Sequence, residues 1–510
     1  MPVSVVLAGI PIVVALALLL ARIGPVRSAV AALASAVVVT WVAFPASVSE
    51  IVGGQAKIGP VYAEVALILL GGVLLSQLLS ASGAQRRLGE WVTGVCRDPA
   101  RAVLLIVLGV VPFAESVTGF GIGVVVGVPL LVHFGFPRFR AAVVGLLGLV
   151  IVPWGALAPG TLVAAKLTGV GFRELGTRSA LLSLPVFVIV GAGALLIATG
   201  ARRTLAALPE LAVVAGALWG GVWVVNTAVG TPLAGALGSL IAIAATLVLA
   251  RAREGASLRL PARTARDLTP YAVLVTGLLA TYLGTAAASV GDTWWTAVAT
   301  SPATWLLATC AVTPALLAQP AVTRGPALRQ ALRRWWPVAL TTVLFLSLGA
   351  LLTSTGMSTA LARGAVRLGA AYPALTPWIG ALGGFVAGSN TGANAMFAAS
   401  QAQAAQALGY PTLTLVAFQN VSAALATMAA IPKVALATSL AHDTPGPAPA
   451  EHREPGGAER PTGAAGTATA EQTGAVAHID TGRILRTVLA VDVAVLAVLS
   501  GLAMVLPALL

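Results

Sequence analysis

Long apolar runs separated by short polar segments follow one another along almost the whole chain of 510 residues. Twelve of these runs are long enough to cross a bilayer as a helix, which takes about 20 residues. They lie near residues 5–21, 28–44, 61–81, 141–168, 179–200, 210–226, 232–250, 270–290, 302–319, 336–354, 412–440 and 484–510. A transmembrane β-barrel would instead show alternating segments of about ten residues. The pattern therefore predicts an all-α polytopic membrane protein.

Two further apolar regions, residues 101–136 and 375–410, have a different pattern. Gly, Ser, Thr and Asn interrupt each region near its midpoint and leave halves of about 12 to 16 residues, which are too short to span a bilayer. Non-helical backbone is tolerated at membrane depth where protein or a water-filled cavity surrounds it. We therefore predict two re-entrant hairpins in addition to about 12 transmembrane helices.

The distribution of charge supports the hairpins. Only 9% of the residues are charged, against 58% hydrophobic residues. If both hairpins return to the side that they left, 23 of the 30 Lys and Arg residues fall on one side, six fall on the other, and Lys433 lies within an apolar run. Cytoplasmic loops are rich in Lys and Arg, so the larger group marks the cytoplasmic side. The net charge of +13 therefore requires no nucleic-acid partner.

The hairpin regions belong to an internal repeat. The segment ESVTG at residues 115–119 aligns with GSNTG 273 residues later, and GFP at residues 135–137 aligns with GYP at residues 409–411. In each half the next span contains a proline, Pro153 or Pro432, which is predicted to interrupt its helix. By the charge count the two units start on opposite sides. Such inverted-topology repeats place a substrate site near the midplane, so we expect Ser116 and Ser389 to lie close together.

These features divide the chain into six parts. They are N-terminal transmembrane helices (1–60), the first repeat (61–170), connecting transmembrane helices (171–335), the second repeat (336–440), a linker (441–483) and a C-terminal transmembrane helix (484–510). The linker is rich in Pro, Gly, Ala and Glu, which predicts a disordered cytoplasmic segment. The spacing of His442, His452 and His478 is too loose to indicate a metal site.

The hairpin tips carry residues that suit a carboxylate ligand. The N-terminus of a returning half-helix presents free N–H groups and a partial positive charge, and Ser, Thr and Asn add donors and acceptors. The residues predicted to bind substrate are Ser116, Thr118, Gly119, Gly121, Ser389, Asn390, Thr391, Gly392, Asn394 and Lys433. The alternative is that these small residues only allow helices to pack closely, as is common in membranes.

Two isolated charges lie within the membrane regions. An ionised acid at that depth costs about 2.5 to 3.5 kcal/mol or more, so a protonatable Glu115 suits proton coupling. The alternative for Glu115 is an acid that binds the hairpin backbone. Lys433 suits an anionic substrate or the Glu115 carboxylate, and its alternative is extension to the membrane interface. Glu64 and Asp492 are predicted close to span ends.

The two tips resemble the signature regions of the L-lactate permease family. The resemblance rests on FAE at residues 113–115 followed by GFG at 119–121, and on AGSNT at 387–391 followed by Met396, Phe397 and Gln401. It extends from about residue 60 to residue 440. It implies a transporter that imports lactate, glycolate or related 2-hydroxy monocarboxylates with protons. The broader relatives include sodium-coupled carboxylate transporters, and they imply a homodimer with an elevator motion.

Other classes of protein fit less well. A membrane-embedded enzyme would need a catalytic set, and the sequence contains no His-Glu zinc motif. An ATP-driven pump would need a phosphate loop, which none of Lys57, Lys166 and Lys433 provides. A sodium-coupled organic anion transporter and a channel stay open as alternatives. No cofactor is indicated, and the predicted partners are a small carboxylate, the proton and the lipids of the cell membrane.

Overall fold

The computed structural model describes residues 3–119, 121–288, 291, 293–445 and 480–509. Within these ranges the regular secondary structure is entirely helical, which confirms the all-α fold class. Most of the linker at 441–483, with His452 and His478, lies outside the described residues, and so does Phe120 of the first tip.

The helices are numbered in chain order. They are α1 Val3–Leu20, α2 Pro25–Ala43, α3 Val48–Ala81, α4 Ala84–Val95, α5 Pro99–Leu105, α6 Val111–Thr118, α7 Ile122–His133, α8 Arg138–Leu147, α9 Pro159–Thr168, α10 Phe172–Thr199, α11 Ala201–Ala228, α12 Thr231–Glu254, α13 Ala262–Asp267, α14 Thr269–Ala287, α15 Trp294–Thr300, α16 Pro302–Leu316, α17 Ala321–Ser354, α18 Met357–Val366, α19 Tyr372–Ala387, α20 Asn390–Ala407, α21 Thr412–Ala426, α22 Ile431–Asp443 and α23 Thr481–Leu509. A π-helical segment, Ile106–Val110, joins α5 to α6, and 3₁₀ segments lie at Leu149–Leu157, Gly369–Ala371 and Thr427–Ala429.

Nine of the predicted spans coincide with one long helix each, 302–319 coincides with the shorter α16, and 141–168 and 412–440 are each divided between two helices, α8 and α9 or α21 and α22. In the described part of the chain, 11 helices are long and apolar enough to cross a membrane, or 12 with the bent pair Arg138–Leu147 and Leu149–Leu157. A helix satisfies all its backbone groups internally, which is why apolar runs of this length fold as helices in lipid. The structure therefore confirms a multi-span helical architecture.

The first hairpin consists of α5, the π-helical segment and α6, followed by a return along α7. Its outgoing half, Pro99–Thr118, has 20 residues and is longer than the predicted 12 to 16. The start of α5 and the end of α7, which begin and end the hairpin, lie at the same end of the fold. Arg101 at the start pairs with Glu210 and Glu254 at 2.8 and 2.6 Å, and Arg140 just after the hairpin donates to the Ala198 carbonyl. This arrangement is the one that a re-entrant hairpin requires.

Another ion pair involves α4, which precedes the first hairpin, and lies on the face predicted to be cytoplasmic. The guanidinium of Arg87 in α4 donates to both carboxylate oxygens of Asp267 at 2.7 Å. This hydrogen-bonded carboxylate raises the pKa of Arg87 above its ordinary value. The pair fixes α4 against α13 outside the spanning segments.

The second hairpin consists of α19 and α20, which have 16 and 18 residues. At its base the Tyr372 hydroxyl donates to the Gln401 side chain at 2.5 Å, and Tyr372 packs with Ala404 and Leu415. Its halves pack closely against α21, since a Cβ added at Gly384 would lie 1.8 Å from the Ala423 carbonyl oxygen. Such contacts between small residues are how helices associate in a membrane.

After each hairpin comes the same turn and then a broken helix, as the repeat predicts. Gly135 and Gly409 have φ of 92° and 74° and end α7 and α20, and a proline follows each turn. The helix breaks then lie before α9 and before α22. Pro159 is the first residue of α9 and Pro432 is the second residue of α22, so Pro159, and not Pro153, is the structural counterpart of Pro432. A proline fits the first turn of a helix because its missing N–H would have no acceptor there.

The aligned segments ESVTG and GSNTG do not occupy equivalent positions in the two hairpins. Ser116 and Thr118 lie in α6 before the first tip, whereas Ser389 and Asn390 lie at the start of α20 after the second tip. The tips form where glycines adopt positive φ, at Gly119 and Gly121 in one hairpin and at Gly388 in the other. These backbone requirements determine where the helices end, and the short sequence match does not.

Asp492 is not at a span end, so the sequence prediction for this residue was wrong. It is the twelfth residue of the 29 in α23, and its side chain is 1% exposed. The helix that carries it packs against α8, α10, α19, α21 and α22.

Candidate functional site

A cavity of about 350 Å³ lies where both hairpin tips meet both helix breaks. From the first hairpin Glu115 and Gly119 line it, and from the second hairpin residues 387–391 line it. The helix breaks contribute Val152, Gly155, Ala156, Pro159, Gly160, Ala430, Pro432 and Lys433, and α2, α3 and α17 supply Pro25, Val26, Leu69, Pro337, Val338, Thr341 and Thr342. The expected convergence of the two tips is therefore present.

Three helix N-termini border this cavity. The first turns of α9, α20 and α22 contribute Gly160, Asn390 and Lys433 to its lining. The N–H groups of a first turn have no intrahelical acceptor, and the helix dipole gives that end a partial positive charge. The three ends together make the cavity favourable for an anion.

At the start of α20, the Ser389 hydroxyl is hydrogen-bonded within the protein and the Thr391 hydroxyl is not. The Ser389 hydroxyl caps the helix by accepting from the Gly392 N–H at 3.4 Å. Thr391 lies beside it and Thr342 lies on α17, and both hydroxyls lack a hydrogen-bond partner among the described residues. These two hydroxyls are available to a ligand in the cavity.

An amide network holds α20 against α9 and α21. The Asn390 side-chain N–H₂ donates to Asn420 Oδ1 at 2.9 Å, and that of Asn394 donates to the same oxygen at 2.9 Å and to the Gly160 carbonyl at 3.1 Å. The side chain of Asn420 donates to Thr161 Oγ1 and to Ser179 Oγ, both at 3.0 Å. Sequence reasoning missed Asn420, although a Gln-Asn pair inside an apolar run was a visible signal.

Gly160 lies at the closest approach of α9 and α20. A Cβ added at this position would lie 2.6 Å from Asn390 Nδ2, so a methyl group must displace the amide. We expect Gly160→Ala to lower uptake of a small carboxylate, the substrate that the sequence predicts, strongly while Gly216→Ala, on an open face of α11, leaves it unchanged. Uptake by vesicles with equal protein content measures both variants. Equal uptake by Gly160→Ala and Gly216→Ala would show that the amide position is unimportant.

Glu115 occupies the N-terminus of the fourth helix at the site, α7. Its carboxylate accepts from the Gly121 N–H at 3.1 and 3.2 Å and from the Gly123 N–H at 3.3 Å, and its side chain is 3% exposed. The side chain thus supplies an acceptor to N–H groups that have no intrahelical partner. The N-terminus of α7 is therefore occupied by a group of the protein itself.

Lys433 of α22 also lies beside the start of α7. Its ammonium group donates to Thr427 Oγ1 at 3.0 Å, and its aliphatic stem runs past Gly121, where an added Cβ would lie 3.9 Å from Cγ and Cε. Glu115 and Lys433 both line the cavity. Lys433 therefore faces the cavity rather than an interface.

The structure brings together some of the predicted site residues and not others. Glu115, Gly119, Ser389, Asn390, Thr391 and Lys433 line one cavity. Ser116 faces α12, where a Cβ added at Gly235 would lie 2.6 Å from its hydroxyl, and Thr118 donates to the Ala114 carbonyl at 2.6 Å. Gly121, Gly392 and Asn394 bind other residues of the site: the Gly121 N–H donates to Glu115, the Gly392 N–H to Ser389, and the Asn394 amide to Asn420. Among the described residues, no three His, Cys, Asp or Glu side chains gather as metal ligands.

Fold and site together define a multi-pass helical membrane protein with a central, anion-favouring cavity between paired hairpin tips. The family model for L-lactate permease matches residues 4–260 and 275–443. The chain therefore belongs to the L-lactate permease family, which confirms the resemblance of the two tips. Membership also places it in the cell membrane as a multi-pass protein.

Individual relatives agree with this assignment. The L-lactate permease of Streptococcus iniae is 24% identical over 370 residues, which cover 67% of this chain and 77% of that protein. Shorter matches of 83 residues reach 39% identity with the L-lactate permease of Escherichia coli strain K12 and 35% with that of Salmonella typhimurium strain LT2. Each of these covers 16% of this chain and 15% of the relative.

Proposed function

We propose that this protein is a secondary active transporter that imports a small 2-hydroxy monocarboxylate, such as L-lactate or glycolate, together with protons. The observation that carries the proposal is the convergence of three helix N-termini and Lys433 on one cavity. Glu115 occupies only the N-terminus of α7. The remaining positive potential suits one carboxylate, and the names of the relatives support lactate as the substrate.

The lining also provides for the other parts of such a substrate. The carboxylate binds at the first turn of α20 and at Lys433, because free N–H groups and an ammonium group meet there. The 2-hydroxyl group lies within reach of Thr391 or Thr342. The methyl group of lactate packs on apolar lining such as Leu69. This division of roles makes the protein a binder of hydroxy acids rather than of any anion.

The hydroxyl contact can be tested at Thr391. We expect Thr391→Val to weaken L-lactate binding by about 0.5 to 1.5 kcal/mol, the usual value of one hydrogen bond, and to leave binding of propionate, which lacks the hydroxyl, unchanged. Competition against labelled lactate uptake measures both affinities. Thr118→Val is the matched control, because the Thr118 hydroxyl binds its own helix away from the cavity. Equal losses for lactate and propionate would assign Thr391 to packing.

Transport and its coupling ion are tested together in vesicles of purified protein. We expect labelled L-lactate to accumulate when the interior is more alkaline than the exterior, with the membrane potential clamped, and an inward sodium gradient at equal pH to have no effect. Unlabelled glycolate should compete. Accumulation driven by sodium alone would favour the sodium-coupled alternative. Passive lactate flow unaffected by either gradient would indicate a channel, and lactate movement no greater than in protein-free vesicles would contradict transport.

A further inference from the structure

Asp492 is a buried carboxyl group without a partner. Neither of its oxygens has a hydrogen-bond partner, and no basic group of the described residues forms an ion pair with it. At 1.5 Å per residue it lies roughly 9 Å along α23 past the exposed Arg486, which is inside the hydrocarbon core of a bilayer. The position and the missing partners distinguish it from every other acid of the described structure.

The surrounding face of α23 is apolar. Ile484, Val488, Val495 and Leu499 are buried on the same stripe, with 0% exposure. An aliphatic side chain would satisfy this packing, and an acid that makes no hydrogen bond adds nothing to it. An ionised carboxylate in such surroundings is very costly, so the group is neutral in this conformation and holds a proton.

Neighbouring charges do not compensate for Asp492. The helix packs against α8, α10, α19, α21, α22 and Thr427–Ala429. The ionisable side chains on these elements and on α23 itself are Arg138, Arg140, Arg173, Glu174, Arg178, Tyr372, Lys433, His442, Asp443, Arg483 and Arg486. Arg140, Tyr372 and Lys433 bind Ala198, Gln401 and Thr427, and Arg486 pairs with Asp480. None of the eleven contacts the Asp492 carboxyl group.

Asp492 is connected to the cavity through its helix. The α19 side chain Trp378 donates to Ser500 of α23 at 2.8 Å, and α19 ends at Ala387 in the cavity lining. Thr427–Ala429, which also contacts α23, leads directly to Ala430 in the lining and supplies the acceptor for Lys433. A change of charge on α23 therefore acts on the elements that form the substrate site.

We propose that Asp492 binds the proton that crosses the membrane with the carboxylate, an inference that rests on the proposed proton-coupled transport. In the loaded state the carboxyl group is neutral and the substrate carries the only added negative charge. One proton and one monocarboxylate then cross without net charge. Release of the proton leaves a buried carboxylate, which requires a conformation that admits water. For net uptake the empty protein must return in this deprotonated form, which ties release of the proton to release of the substrate.

The test compares Asp492→Asn with Asp480→Asn, the same change at an exposed acid just before α23. A pH-sensitive dye records protons that move with an L-lactate gradient, and a second assay records exchange of labelled against unlabelled lactate. We expect Asp492→Asn to lose lactate-driven proton movement and to retain exchange, because the amide mimics the protonated acid. Asp480→Asn should behave like the unchanged protein in both assays.

The outcomes separate this inference from the proposed function. Normal proton movement by Asp492→Asn, with coupled transport in the unchanged protein, would overturn the role of Asp492 and leave proton-coupled transport standing. Lactate transport without protons in the unchanged protein would overturn both. If Asp492→Asn does not fold, Asp492→Glu keeps the titratable group, and infrared difference spectra should show its protonated carboxyl band at a shifted frequency. An unshifted band would show that the protonated group is elsewhere.

Discussion

Replacing Lys433 with Gln is expected to lower the apparent affinity for L-lactate roughly 10- to 100-fold, because a hydrogen bond to a charged group contributes about 1.5 to 3 kcal/mol. The amide is one bond shorter than the lysine side chain but keeps a donor at its end, so the fold should survive. The cavity loses its one cationic side chain among the described lining residues. The concentration dependence of uptake measures the effect.

The matched control is Lys166→Gln, which removes a lysine that is exposed at the far end of α9. It should leave the affinity for lactate unchanged. If Lys433→Gln and Lys166→Gln behaved alike, the carboxylate would not bind at Lys433, and the helix N-termini alone would have to account for anion binding.

Glu115→Gln is expected to destabilise the first hairpin tip. The backbone N–H groups of Gly121 and Gly123 lose a charged acceptor. A loss of roughly 1.5 to 3 kcal/mol follows from the charge-assisted hydrogen bonds. Thermal unfolding of the purified protein should therefore begin at a lower temperature. Glu174→Gln, at an exposed acid in the first turn of α10, should leave unfolding unchanged.

The same variant tests the sequence prediction that Glu115 carries the proton, which the structure leaves as a prediction. If Glu115 is the carrier, Glu115→Gln should unfold at the normal temperature, exchange lactate and fail to accumulate it. If Glu115 holds the tip, the protein that survives should still move protons with lactate. Lactate-driven proton movement in vesicles of the Gln variant distinguishes these results.

Hydropathy predicted the spans well because backbone satisfaction in lipid leaves few choices for a long apolar run. It predicted the hairpins as well, since Gly and Ser at residues 388 and 389 break an apolar region near its middle. In residues 141–168 the proline pattern predicted a break at Pro153, and the non-helical backbone begins two residues later, at Gly155. That break depends on Gly155 and Ala156 adopting non-helical backbone beside the first tip, and Gly119 closely approaches Ala156 only in the folded protein.

The candidate site was predictable in its second half and less so in its first. Ser389 followed by Asn390 and Thr391 is a helix start that can be read locally, because Ser favours the N-cap. Ser116 and Thr118 have similar chemistry but lie at a helix end, which the short match does not reveal. Asn420 and Thr161 are 259 residues apart and meet only through tertiary packing. The burial of Asp492 likewise depends on the packing of α23 against other helices.

Protection of Thr391 by substrate tests the central claim most directly. Cys96 and Cys310 are first replaced by Ala, and Thr391→Cys is then labelled with a water-soluble thiol reagent in transport-competent vesicles. The matched variant is Thr227→Cys, at an exposed threonine near the end of α11 and outside the cavity lining. Saturating L-lactate should slow labelling at position 391 and leave position 227 unaffected. Labelling at position 391 that proceeds at the same rate with and without lactate would contradict a substrate site between the hairpin tips.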